Sequence, residues 1–559
     1  MKTTDVFIYL LLVISIMTAC SDSAKRKEKE AETFLRSFEK EIIPAFTDWN
    51  KAYFRASISG KDEDYNKVSE YELAYSTLLS DKDKFETVRK FRGDTTIKDS
   101  LIRRELDVMY NTMIRYQIDT LKLKSLIDAQ VAVEKKFSTF RAEVNGRSLS
   151  DNEIDSILVN SRNSDELEKV WAVSKEIGVV VADDVKNLVK LRNEIARDLD
   201  YSNYHEMALK ISDQDPAEIL KLFDELDYLT NDAFADLKGL IDLALSQQLK
   251  INPDNLMPWH YQNRFFQEAP KIYESDLDKY YADKDILMVV KSYYEGLGLE
   301  VQDILDRSDL FEKPGKYQHA YCTSIDRAGD VRVVANIRNN QQWMNTMLHE
   351  LGHAVYDKYI DRTLPFALRE PAHIFTTEAI ANFFGNLASN AKWMKRNLGL
   401  TSEETQVIAS DVKSYARLEK LVFSRWCQVM FRFEKSMYEN PDQDLNTLWW
   451  DLVESYQLLK RPVDRDKPDW ASKIHVATVP CYYHNYLLGD LLAAQLDAYM
   501  ANNILGEKDP CFTGHPEIGE YLKEKVFEPG SRYCWNEMIE KATGEKLTAK
   551  YYARQYVRK

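Results

Sequence analysis

The sequence predicts a mainly helical protein with one small sheet beside its functional site. Three observations carry that expectation. Apolar residues recur at helical spacing over long stretches; Gly and Pro are scarce, at 18 and 15 in 559 residues; and strand-like alternation is almost absent. The clearest helical stripe runs from Asp184 to Asp198, with Val185, Leu188, Val189, Leu191 and Ile195 set among charges. A second runs from Pro216 to Leu245, with Asp215 placed to cap it and Pro216 at its first helical position. A third covers Ser410 to Tyr438. Gln341 to Tyr359 reads as a further helix, and Val331 to Ile337, followed by Asn339-Asn340, is the best strand.

Composition narrows the class. Hydrophobic residues make up 44%, enough for a large core, and charged residues 30%. The net charge of -15 argues against a nucleic-acid partner, which needs basic surface over phosphates. Nothing in the sequence indicates a protein partner.

The N-terminus reads as a targeting segment. Met1-Lys2 precedes an apolar run from Val6 to Met17, and Thr18-Ala19-Cys20 closes it. The run is too short to span a bilayer and fits an export signal over 1–19. A small residue before Cys20 resembles the bacterial lipobox, in which the cysteine is lipidated. Residues 20–35 then read as a polar tether, and 36–559 as one helical domain. The expected location is that of an exported lipoprotein, in the periplasm or at the outer membrane, attached through its lipid. The other five cysteines form no CxxC pair; Cys511 and Cys534 are the first candidates for a disulfide, the rest for buried thiols.

The chemistry is carried by HELGH at 349–353. His349 and His353 lie four apart, so on a helix both imidazoles project from one face and can share a Zn2+ ion. Glu350 sits about 100° round the helix, beside the metal position, where it can take a proton from the attacking water and give it to the leaving amine. With nine histidines in the chain, chance predicts roughly 0.01 such strings. Gly352 inside a helix costs about 1 kcal/mol relative to Ala, which suggests close approach of a neighbour. A third ligand is needed. Glu378 in Thr376-Thr377-Glu378-Ala379-Ile380 is the candidate, with Asn382 one turn on to orient an imidazole. Glu370 is the rival, although a pairing of Arg369 with Glu370 in a turn is the simpler reading.

The run HELGHAVYDKYIDRTLPFALREPAHIFTTEAIANFF resembles the zinc region of the peptidyl-dipeptidase A family, which includes angiotensin-converting enzyme. LVKLRNEIARDLDYSNYHEM at 188–207, YYEGLGL at 293–299 and LFEKP at 310–314 resemble it too. The resemblance, with gaps, covers about Trp49 to the C-terminus. It implies a single large helical metallopeptidase domain of two halves around a deep channel, binding Zn2+ and cleaving short peptides. It further implies His475 and Tyr486 as donors to the reacting carbonyl, and Lys473 and Tyr483 as ligands of the substrate's terminal carboxylate, with Tyr483 and Tyr486 exchangeable. His319-Ala320 resembles a pair near the substrate backbone, and Gln262 a glutamine that assists carboxylate binding. Two departures stand out. Asn382 replaces an aspartate of the mammalian enzymes, and Asn485 replaces a chloride-linked arginine, which puts chloride activation in doubt. The expected activity is release of C-terminal dipeptides. Alternatives are an endo-acting oligopeptidase of the thimet or oligoendopeptidase F type, which share fold and motif, and an inactive peptide-binding lipoprotein.

Overall fold

The apolar stripes become long helices packed side to side. The computed structural model describes residues 3–272 and 276–557, with side chains from residue 24 onward. The signal segment 1–19 and Cys20 therefore fall outside the described side chains. Helix α1 (Thr3–Ser59) leads into α2 (Asp62–Leu79), α3 (Lys82–Gly93) and α4 (Ser100–Ile114). Leu35, Phe38, Ile42, Val88, Leu106 and Met113 from this group form a second, smaller core, which also takes in Phe366 and Ala367 from the far side of the chain. Ala31 and Leu35 are fully buried in it, so the stretch expected as a tether over 20–35 is helix, and its last turns are core. The Glu39 carboxylate accepts the Phe366 backbone N–H at 2.6 Å, and Arg327 stacks between Phe46 and Phe366, fixing α1 to the body.

The main core holds nearly everything else. A short hairpin, β1 (Ala142–Val144) with β2 (Arg147–Leu149), precedes α5 (Glu176–Asp198). Val185, Leu188, Val189 and Ile195 of α5 are buried as the stripe predicts, with Leu191 half-buried at its edge. α6 (Pro216–Leu249) starts where the sequence says: the Asp215 side chain accepts from the Ala217 and Glu218 amides, and Pro216 costs no hydrogen bond there. Strand β3 (Tyr321–Ser324) pairs antiparallel with β4 (Val331–Val334), in the register Tyr321 to Val334. The expected strand over 331–337 is thus shorter, because beyond Val334 the backbone turns away to meet Asp309 and Leu310. This hairpin packs on α7 (Gln341–Tyr359), whose bounds match the sequence reading. α8 (Ile374–Gly385), α9 (Ser402–Glu439) and α10 (His484–Tyr499) complete the wall behind it. Among the described residues no helix is long and apolar enough to cross a membrane. The five cysteines from Cys322 to Cys534 are free thiols, so the Cys511–Cys534 bridge is not formed.

Candidate active site

Helix α7 places the first two site residues by its period alone. Met344, Met347, Leu348, Leu351 and Val355 bury its core face, which leaves His349 and His353 one turn apart on a partly buried edge. Their Nε2 atoms lie 3.2 Å apart. α8 crosses directly over Gly352, where a Cβ would fall 2.8 Å from the Ala381 Cα; the glycine is what lets the two helices meet. That crossing brings Glu378 to the histidines, with carboxylate oxygens 3.8 Å from His349 Nε2 and 3.9 Å from His353 Nε2. α10 closes the third side through Gly489, where a Cβ would sit 3.3 Å from the Glu378 Cβ.

The three ligand atoms lie within 4.8 Å of one another. A tetrahedral Zn2+ with bonds of about 2.0–2.2 Å needs ligand atoms roughly 3.3–3.5 Å apart, so His349, His353 and Glu378 fit the ion with little adjustment. Their protonation fits too. Burial holds His349 down at about 4, helped by the Lys420 charge, and His353 at about 3, helped by His349. Both imidazoles are therefore neutral with lone pairs to offer. Burial pushes the Glu378 carboxyl up to about 7, with Asp490 adding to the rise. A buried carboxylate beside two neutral imidazoles is poorly compensated until a cation arrives.

Glu350 points from the same helix toward β3. Burial, then the Glu378 charge, push its carboxyl up to about 8, while a backbone hydrogen bond from Cys322 pulls the other way. The carboxyl is thus held by the strand and lies outside the ligand triad.

Facing α7 is the segment from Lys473 to Tyr486. Arg192 on α5 donates to the Ala477 carbonyl at 2.5 Å, and the Cys481 amide donates to the buried Glu434 at 2.9 Å, which fix both ends of the turn. Rings then run in contact from His475 to Tyr483 (5.3 Å), Tyr483 to Tyr486 (5.4 Å) and Tyr486 to Tyr482 (5.3 Å). Burial first, and the Glu378 charge second, raise the phenols of Tyr482 and Tyr486, so both stay protonated near that carboxylate. At the other end the Lys473 ammonium lies over the rings of Phe265, Trp426 and Tyr483 and donates to Gln267 Oε1 at 2.5 Å. Burial lowers it to about 8. His475 has a depressed basicity near 4, from burial and then Lys473, and its buried Nδ1 has no partner.

A profile of the peptidase M2 family, described as angiotensin-converting enzyme, matches residues 25–260 and 266–557. The chain belongs to that family. It is a metallopeptidase acting on peptides, in a family of zinc enzymes. It is also similar to "Carboxypeptidase 1" of Bacillus subtilis (strain 168), at 23% identity over 483 residues, covering 76% of this chain and 91% of that protein. "Thermostable carboxypeptidase 1" of Pyrococcus furiosus is 27% identical over 227 residues, covering 37% of this chain and 45% of that protein.

Several residues of this M2 peptidase stand differently from the sequence expectation. Asn382 makes no hydrogen bond to an imidazole; its Nδ2 donates to Asp490 Oδ1 at 3.3 Å, and His353 Nδ1 instead shares a 2.7 Å bond with the Thr377 hydroxyl. Thr377 adjoins Glu378, and nothing in its spacing separated it from Thr376. Gln262 has a left-handed backbone (φ 60°), accepts the Lys271 amide at 2.8 Å and does not reach Lys473; Gln267, five residues on, is the glutamine at that ammonium. Glu370 pairs with Arg327, not Arg369, which turns to the Leu364 carbonyl. His319 is exposed with its ring beside Tyr317, and no described contact links it to the triad or the tyrosines; Ala320 is half-buried against the core just before β3. Asn485 accepts from Gln214 Nε2 at 2.8 Å, so this neutral amide is engaged inside the protein where the mammalian enzymes carry a chloride-linked arginine. Tyr482 was hidden in the run of tyrosines, since only the turn geometry shows which rings face Glu378.

Proposed function

We propose that this chain is a zinc peptidyl-dipeptidase, holding Zn2+ on His349, His353 and Glu378 and reading the free carboxyl end of a short peptide. The carrying observation is the Lys473 ammonium, buried among aromatic rings at one end of a line of ring contacts that runs through Tyr483 to Tyr486, whose phenol feels the Glu378 charge. A buried cation hydrogen-bonded to an amide oxygen, with Glu268 near enough to be felt but not hydrogen-bonded to it, attracts a further carboxylate.

The ion would supply Lewis acidity to the scissile carbonyl and acidity to the attacking water. Glu350 takes the proton of that water and returns it to the departing amine nitrogen. Tyr486 and His475 donate to the oxyanion as the carbonyl carbon becomes tetrahedral, with Tyr482 a second phenol within reach of the same side. Lys473, Tyr483 and Gln267 hold the terminal carboxylate, which sets the scissile bond at a fixed distance from the C-terminus. His319 and Ala320 lie before a strand that flanks Glu350 and would steer the backbone of a longer substrate. The relatives' name of carboxypeptidase agrees with end recognition and leaves the length of the released piece to the spacing between Lys473 and the metal.

Amidation of a test peptide's C-terminus is expected to raise KM by at least tenfold. Mass spectrometry of products from a peptide ladder should show dipeptides leaving the free-acid forms. Equal cleavage of acid and amide would favour the endo-acting reading. The pH dependence follows from Lys473: an ammonium lowered to about 8 loses its proton above that pH, and with it the carboxylate ligand. Accordingly kcat/KM on free-acid peptides should fall as pH rises through about 8, and the limb should be missing with amidated peptides. Persistence of the limb with amides would assign it to another group.

We also propose that 1–19 is a lipoprotein signal and that Cys20 carries the lipid, with the peptidase anchored in the periplasm or at the outer membrane. The full chain should partition into detergent, and Cys20→Ser should move it to the aqueous phase.

A further inference from the structure

Asn382 makes no hydrogen bond to an imidazole; its amide is engaged instead by a charge pair on two other helices. Lys420 on α9 donates to Asp490 Oδ1 on α10 at 2.7 Å, and the Asn382 amide of α8 donates to the same oxygen. The pair is deeply placed, with side chains 16% and 5% exposed. The lysine backbone is itself held, since the Tyr552 hydroxyl donates to its carbonyl at 2.7 Å. Asp490 follows Gly489, the residue in contact with the Glu378 Cβ, and Asn382 is one turn beyond Glu378. The desolvation of an ion pair buried this far offsets much of its Coulomb attraction, so its net contribution to stability is small. The arrangement it specifies here is the seat of one metal ligand. Since α10 also carries Tyr486, the lock joins the ligand helix and the helix of the oxyanion donor into one unit.

We propose that Lys420 and Asp490 are positioning residues for the metal: acting through Asn382, they lock α8 against α10 and so fix Glu378 in register with His349 and Tyr486. This rests on the zinc reading above. It gives a single carboxylate, neutralised by an ammonium, the task of holding a helix rather than an imidazole.

The test is zinc competition against a chromogenic chelator on the full chain stripped of metal, with the melting temperature of the metal-free protein measured alongside. Asn382→Ala and Asp490→Asn should each weaken zinc by about 10–100-fold, the range for loss of a partner behind a metal ligand. The double variant should be no weaker than the worse single one, because both cut the same chain of contacts. Asp490→Asn leaves a buried ammonium unpaired and risks misfolding. Lys420→Met with Asp490→Leu removes both charges and the acceptor of the Asn382 amide, and should show the same loss of zinc at an unchanged metal-free melting temperature. Additive losses in the double variant, or wild-type zinc affinity in the charge-free pair, would overturn the proposal. A wild-type chain that takes up no zinc would instead overturn the metal assignment itself.

Discussion

Glu350→Ala is expected to lower kcat/KM by about 10²–10⁴-fold while the protein retains one equivalent of zinc. The two halves of that expectation come from different geometry. The loss follows because Glu350 adjoins the ligand histidines on α7, and the carboxylates next considered are already committed. Glu378 belongs to the metal triad, Asp490 is engaged by Lys420 and Asn382, and Glu370 by Arg327. Retention of the metal follows because Glu350 is not one of the three ligands and is held by β3 through Cys322. Glu350→Gln tests the same point with the volume preserved. Metal analysis and peptide hydrolysis on the same sample decide the matter; a zinc-loaded variant with wild-type rates would remove Glu350 from the mechanism.

Residues whose partners lie one helical turn away were open to sequence reasoning. His349, Glu350 and His353 needed only the 3.6-residue period, and the cap at Asp215 only local chemistry. Glu378 was reachable because it lies in the next apolar helical stretch, where an unpaired carboxylate is costly, while Gly352 suggested only that some neighbour comes close. Gln267 and Thr377 were not reachable, since each is defined by a partner distant in sequence or by one of two equivalent neighbours. Lys473 finds Gln267 across 206 residues, and pattern alone cannot rank Gln267 over Gln262. Asn382 failed for a related reason. Its position on α8 was read correctly, but the group it faces comes from α10, which no local pattern places there. The same holds for Ala31 and Leu35, polar in company yet buried in the core they share with α4 and with Phe366 and Ala367.

Glu378→Ala is expected to abolish both activity and the zinc-dependent rise in melting temperature. His349 and His353 bring their Nε2 atoms within 3.2 Å of each other, with a carboxyl raised to about 7 beside them, all three half-shielded from water. A shared cation would accept a lone pair from each of the three. Zinc at 100 times its dissociation constant would therefore stabilise the wild-type chain by about 2.7 kcal/mol, and more at higher excess. With alanine at 378 the remaining pair of histidines makes a two-ligand site on one helix, with neither charge nor a third direction. The loss of affinity should exceed the roughly 10–100-fold that follows removal of an outer partner. Glu370→Ala is the control and should keep its metal, because that carboxylate is spent on Arg327. Melting curves with and without added zinc, read beside the metal content after dialysis, separate the two carboxylates. Zinc retained by Glu378→Ala and lost by Glu370→Ala would reverse the ligand assignment. It would also require the Arg327 contact to open, and with it the stack of Arg327 on Phe46 that ties α1 to the body.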